Sequence, residues 1–300
     1  MTELSVILCA LDEEERIGRQ LRALDAQVGA PPFEVVVVDN GSRDRTVEVV
    51  RTWIASPGRV AATALLVDAA ATPGIPAARN AGVLAASGEI LAFCDADDEV
   101  DPGWVAAMSA AVDGDVLVGG RLLVPGPDGA AERDLYGTGP VRTSYLPYVG
   151  GANCGMSRAL CLAVGGYDES LPRYGFEDVD FSWRVQEAGY PLRFAPGAIV
   201  HYTLSDGVTS VRKRFLLGQG RVLMARRFPR YDSTDYTLRR TLVDAVRAFR
   251  ALAGALLTRR SAARARASVA VAAAGRVVGA VRYRPGSPAL RRRLLEERDR

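Results

Sequence analysis

Apolar and polar positions come in alternating blocks along the first hundred residues. Leu4–Ala10 is an apolar run of strand length. Ile17, Leu21 and Leu24 follow at spacings of four and three, which puts them on one helix face. Phe33–Val38 predicts a second buried strand and ends in Asp39-Asn40-Gly41-Ser42, which is turn chemistry. Asp44 then caps a helix running through Thr46, Val47, Val50 and Ile54. Val60–Val67 reads as a third strand, Ile75–Ala86 as a helix and Ile90–Cys94 as a fourth strand. Buried strands separated by helices predict a parallel sheet covered on both faces. Such sheets bind ligands beyond the carboxyl ends of their strands. That rule selects Ala10–Glu13, Asp39–Ser42 and Asp95–Asp98.

Beyond residue 100 the pattern is less regular. It predicts a short helix over Pro102–Val112, a strand over Asp115–Val124, and a loop-rich stretch from Pro125 to Pro147. A helix follows over Phe176–Ala188, stopped by Gly189, and then a closing strand over Ile199–Tyr202. From about Ser205 the composition is helical and rich in arginine and alanine. No internal repeat interrupts this order.

Composition narrows the class. The 300 residues are 48% hydrophobic, enough for a large core. The four cysteines show no CxxC spacing and there is one histidine, so a zinc site has too few ligands. Reduced structural cysteines in a cytoplasmic protein are the expectation. The first apolar run leads straight into acidic Asp12–Glu15, which does not fit a secretory leader. No stretch of about 18 apolar residues exists to span a bilayer. GxGxxG and GxxxxGK motifs are absent, and Lys213 is the sole lysine, which removes dinucleotide, P-loop and Schiff-base chemistry from the field. The net charge of +3 hides an asymmetry. From Arg212 onward 23 basic residues face 6 acidic ones, leaving 15 of the 38 basic and 29 of the 35 acidic residues before it.

Four features carry candidate chemistry. Asp95, Asp97 and Asp98 crowd three carboxylates at a strand end, which reads either as a solvated acidic turn or as a site for Mg²⁺ or Mn²⁺ bridging a diphosphate. Glu177 and Asp178 fall in the first turn of a helix, as dipole-favoured caps or as a general base for an attacking hydroxyl. His201 reads as a structural histidine or as a further ligand to the Asp95–Asp97 cluster. Arg79, beside Asn80, reads as a helix-surface residue or as a fork for phosphate.

Over residues 3–205 the chain resembles the family 2 glycosyltransferases, which have the GT-A fold. Five segments carry the resemblance in the family's order: Ser5–Glu13, Glu34–Thr46, Ala78–Gly82, Ile90–Asp98, and Gly165–Glu169 running into Gly175–Arg184. It implies an α/β, Rossmann-like nucleotide-binding domain with a mostly parallel central sheet over residues 1–205. A basic helical extension then occupies 206–300. It also implies an inverting transfer of sugar from a nucleotide diphosphate donor, UDP-linked in most of the family, to an acceptor hydroxyl. Donor-binding roles fall on Ala10, Leu11, Glu13, Asp39, Asn40, Arg79, Asp95, Ala96, Gly151 and Asn153. The divalent cation, Mn²⁺ or Mg²⁺, falls to Asp97 and His201. Catalysis falls to Asp178 as base, with Glu177 beside it near the acceptor. Where the family often has Pro-x-Asn-Glu, this chain has Ala10-Leu11-Asp12-Glu13, which keeps Glu13 and leaves Asp12 without the family's role.

The implied partners are a nucleotide sugar and a glycan, lipid-linked or small-molecule acceptor. The basic tail, above all apolar Ala267–Val281, reads equally as a helix on the anionic inner face of a cell membrane or as a packed helical subdomain. Nucleic acid is a weaker partner for such helices. The rival to an active transferase is a non-catalytic nucleotide-sugar-binding subunit. A nucleotidyltransferase would want a glycine-rich basic loop where this chain has acidic Ala10–Glu15.

Overall fold

The computed structural model describes residues 2–126, 130–204, 211–258 and 260–295. The chain divides into two compact units. One comprises Met1–Asp168, Asp178–Leu204 and Leu294–Arg300, and the other Glu169–Glu177 and Ser205–Arg293. The boundary expected at residue 205 lies outside the described residues.

The first unit is a mixed α/β layer. Its strands are β1 (Leu4–Ala10), β2 (Phe33–Asp39), β3 (Thr63–Asp68), β4 (Ile90–Asp95), β5 (Glu99–Val100), β6 (Leu117–Val124), β7 (Arg133–Asp134), β8 (Asn153–Ser157) and β9 (Leu192–His201). The helices are α1 (Ile17–Asp25), α2 (Thr46–Ala55), α3 (Ile75–Ala85), α4 (Trp104–Ala111), α5 (Arg158–Ala163) and α6 (Glu177–Glu187), the last starting at the final residue of the second unit. One sheet runs β3-β2-β1-β4-β8-β6-β9-β5, with β7 on β6. The long ladders β1–β2, β2–β3, β1–β4 and β6–β9 are parallel, while β8 joins the two halves antiparallel to both neighbours.

The period of two explains the buried runs. Val6, Leu8, Val35 and Val37 enter one core layer, and Ile7, Val36 and Val38 the other. Both faces are covered, so the central strands need no polar positions.

Several boundaries differ from the sequence pattern. The third strand starts at Thr63 rather than Val60. The closing strand starts at Leu192 rather than Ile199, because Pro196 and Gly197 sit in a bulge that the pattern reads as a break. The β6–β9 register jumps from Gly120↔Ala195 to Arg121↔Ile199 there, and Asn153 Nδ2 donates to the bulged Ala198 carbonyl at 2.9 Å. β8 and α5 were not expected at all. The loop-rich stretch after Pro125 contains the short β7, with residues 127–129 outside the described set.

The second unit is helical: α7 (Val211–Arg227), α8 (Leu238–Thr258) and α9 (Arg260–Arg282). α7 and α9 cross at glycines. A Cβ on Gly218 would overlap the Ala272 carbonyl oxygen, and one on Gly275 the Phe215 carbonyl oxygen. The apolar middle of α9 is therefore spent on packing, with Ala270, Ala273 and Ala280 buried. None of the described helices is long and apolar enough to cross a membrane.

Asp232 pins the corner before α8. It accepts from Tyr236 Oη at 2.7 Å, Thr234 N at 3.0 Å and Arg221 Nε at 3.2 Å. Burial alone would raise its carboxyl, but these donors and the Arg221 charge outweigh it and leave the value at about 2. The native state thus holds its proton less tightly than the unfolded chain, so this stabilisation is present above the unfolded value and lost as pH falls through about 2. Asp232→Asn is expected to cost about 2 kcal/mol at neutral pH. In urea titrations the loss should shrink towards nothing at strongly acid pH.

Candidate active site

The parallel strands end together. Cys9 pairs with Asp95, Ala10 with Asp39, and Asp39 with Asp68, so the loops after β1, β2 and β4 share one carboxyl edge. The loops after β1 and β2 are zipped to each other. Asp12 N donates to Ser42 Oγ (3.0 Å), Arg43 N to Asp12 Oδ1 (2.7 Å), Glu13 N to Thr46 Oγ1 (2.7 Å) and Glu14 N to Asp44 Oδ2 (3.0 Å). Asp12 adopts φ +57°, a conformation that a short polar side chain tolerates. Asp12 thus ties the loops after β1 and β2 together. Sequence reasoning missed it, although the alternating short polar residues in both loops were the available signal.

Asp39 accepts from Gly41 N and Ser42 N and is nearly buried. Asn40 N donates to the Ala10 carbonyl, and its Oδ1 accepts from Gly74 N. Ala10 and Ala96 are buried, whereas Leu11 is exposed. The α2 N-cap is Arg45, without a side-chain cap, so Asp44 stands one residue ahead of the helix start; it accepts from Thr46 N at 2.9 Å and braces the first loop.

Asp95, Asp97 and Asp98 bring ligand oxygens within 4.8 Å of one another. Asp98 is 1% exposed; its Oδ1 accepts from Thr203 N at 2.8 Å and its Oδ2 has no hydrogen-bond partner. Burial and the neighbouring Asp95 charge push its carboxyl up to about 8. Glu13 is raised to about 7 by burial and by Asp97. A buried, unpartnered carboxylate oxygen among like charges fits a divalent cation, whose charge would offset the repulsion. Gln20, fully buried in α1, holds both ends of this acidic turn: Nε2 donates to the Asp95 carbonyl (2.9 Å) and Oε1 accepts from Val100 N (3.0 Å).

His201 does not join this group. Its Nδ1 lies 3.0 and 3.1 Å from the two carboxylate oxygens of Glu132, a residue the sequence reading did not single out. The end of β9 nevertheless reaches the acidic turn, through Thr203 N and Asp98.

Arg79 and Asn80 divide their work. Asn80 clamps the Tyr167 backbone with two 2.8 Å hydrogen bonds. Arg79 is buried, its guanidinium 5.2 Å over the Tyr167 ring and 3.7 Å from Asp95 Oδ1. It packs on Gly151, where a Cβ would overlap the two terminal guanidinium nitrogens. Gly151 N in turn hydrogen-bonds the Asp178 carboxylate, so Arg79, Gly151 and Asp178 form one group. Burial raises the Asp178 carboxyl, and the Arg79 charge opposes that rise. α6 is anchored by Asp180, buried against Arg184 at 2.7 Å, with Arg184 also donating to the Val164 and Gly166 carbonyls. Before it, Phe176 has φ +73°, a strained value for a bulky residue, immediately ahead of Glu177 and Asp178. Glu177 is buried.

Asn153 spends its amide inside the fold, donating to Arg121 O and Ala198 O and accepting from Trp104 Nε1. It can serve a ligand only as a wall. With Tyr136, Tyr148, Gly150 and Phe194 it lines a small open cleft. Gly151→Ala is expected to push Arg79 off its seat and to destabilise the fold by about 1–3 kcal/mol. A lowered thermal midpoint with unchanged far-ultraviolet dichroism would check it.

An open carboxyl edge with an acidic turn, a buried arginine and a second carboxylate on a facing helix, in this sheet order, defines a glycosyltransferase of the GT-A class. Residues 5–159 match the family described as Glycosyl transferase family 2, and residues 140–206 match one described as N-terminal domain of galactosyltransferase. The chain belongs to glycosyl transferase family 2. It is 31% identical over 227 residues to glycosyltransferase AglE of Haloferax volcanii, covering 73% of each chain. It is 34% identical over 170 residues to pre-mycofactocin glycosyltransferase of Mycobacterium tuberculosis, covering 51% of this chain and 35% of that one. Among solved structures, mannosyltransferase PcManGT from Pyrobaculum calidifontis, in complex with GDP-Man and Mn²⁺, superposes with a TM-score of 0.60 at 19% identity, over 92% of this chain and 87% of the other. GalNAc-T7 with UDP, GalNAc and Mn²⁺ gives 0.55 at 17% identity, over 78% and 52%. At those identities the likeness is one of fold.

Proposed function

We propose that this enzyme transfers a sugar from a nucleoside diphosphate donor to an acceptor hydroxyl with inversion, aided by a divalent cation. The observation that carries the reading is the convergence of Arg79, Gly151 and Asp178 with the Asp95–Asp98 turn at one sheet edge. Two fold neighbours bound to Mn²⁺ with GDP-Man or UDP support it.

The nucleoside would lie along Ala10, Leu11, Glu13, Asp39 and Asn40, with Asp95 and Ala96 near the ribose. Gly151 and Asn153 would wall the sugar. Asp178 would take the proton of the acceptor hydroxyl as its oxygen attacks the anomeric carbon. The bond to the diphosphate breaks on the opposite face in the same step, and the leaving group departs as the nucleoside diphosphate. Arg79 would stabilise the charge that develops on it, in a buried setting where a fixed guanidinium is worth more than in water. Glu177 would stand near the acceptor. Asp97 would hold the cation, with Asp95 and Asp98 beside it in the same cluster. The cation would supply Lewis-acid stabilisation of the leaving diphosphate.

The test is donor hydrolysis across a panel of nucleotide sugars with Mn²⁺ or Mg²⁺. Slow cation-dependent release of one nucleoside diphosphate is expected, and it names the sugar. Silence across the panel, with nucleotide binding retained, would favour a non-catalytic nucleotide-sugar-binding subunit.

A further inference from the structure

α8 is two-faced within the helical unit. Its inner side is small and buried: Thr241, Ala245 and Ala255. Along the flank of that side Leu238, Leu242, Val246, Phe249 and Leu256 recur at spacings of four, four, three and seven, each 45–58% exposed. Those spacings stack them into one stripe along the helix. Leu257 beside them is 87% exposed. Next around the helix come Arg239, Arg250, Arg247 and Arg240, all exposed. The only acid on α8 is Asp244, half-buried and 3.8 Å from Arg247.

An apolar stripe this long is costly to leave in water, and its border has one sign of charge. We propose that this exposed flank of α8, together with the arginines beyond it, docks the protein on an anionic lipid surface, lying in the plane of the interface. The leucines, valine and phenylalanine enter the boundary between headgroups and acyl chains, while the guanidinium groups reach the lipid phosphates. A second copy meeting the same stripe would set arginine against arginine, so the charge favours anionic lipid as the occupant. α9, whose apolar run is more continuous in sequence, is not this face, because its middle packs on α7. The inference does not depend on the catalytic reading.

The test is flotation of the full chain with phosphatidylcholine vesicles, with and without phosphatidylglycerol. The parent is expected to float with the anionic vesicles only, and less in high salt. Leu242→Ser with Phe249→Ser, and separately Arg247→Gln with Arg250→Gln, should each weaken partitioning by about tenfold or more. Thermal midpoints and donor hydrolysis of both variants serve as controls, since none of these residues lines the site. No flotation of the parent, or equal flotation of parent and both variants, overturns the proposal. So does light scattering showing a parent dimer that the serine variant dissolves.

Discussion

Asp178→Asn is expected to slow sugar transfer by about 10²–10⁴-fold while leaving nucleotide binding close to that of the parent. The asparagine keeps the shape and can still accept from Gly151 N, so the Arg79–Gly151 packing is preserved. What it loses is the proton acceptor. The pH profile carries independent information. Burial raises the Asp178 carboxyl, only partly offset by Arg79, so the active ionised form is lost on acidification at a higher pH than for an ordinary carboxylate. The acidic limb of kcat should therefore lie above the usual carboxylate range in the parent and be absent from the residual activity of the variant. A variant with near-parental kcat would remove Asp178 from the reaction.

Asp97→Ala should have the second largest effect, on the cation. The turn holds three carboxylates whose oxygens lie within 4.8 Å, and burial already forces Asp98 up to about 8. Removing Asp97 takes away one proposed ligand and one repulsive charge together. Cation affinity should fall by at least about tenfold, with donor hydrolysis falling in parallel, while the apo protein becomes no less stable. Thermal melts with and without Mn²⁺ separate these effects: the parent gains a higher midpoint from Mn²⁺ and the variant does not. An equal Mn²⁺ shift in both would mean that the cation sits elsewhere.

The first half of the sheet was legible because its strands are long, β-branched and buried on both faces, as Val35–Val38 illustrates. Its ligand edge followed from topology alone, since polar residues after such strands have nowhere to go but the carboxyl end. The second half of the sheet was hidden. β8, Asn-Cys-Gly-Met-Ser, has neither alternation nor branched residues and is a strand only because β4 and β6 flank it. The bulge of β9 at Pro196-Gly197 disguised the first half of that strand. The resemblance supplied Arg79, Asp97, Asp178 and His201, but not the pairing of His201 with Glu132, which is 69 residues away in sequence. In the helical unit, composition pointed to α9 as the amphipathic element. Its small residues serve a glycine crossing instead, and the exposed stripe falls on α8, where leucines and arginines are mixed in sequence and separate only around the helix.

The most direct measurement is calorimetric binding of UDP and GDP to the parent chain, with and without Mn²⁺. The account predicts that one of them binds, that Mn²⁺ strengthens it by at least about tenfold, and that Asp97→Ala abolishes the enhancement. Binding of neither nucleotide with Mn²⁺ present, by protein whose thermal unfolding is cooperative, would contradict it.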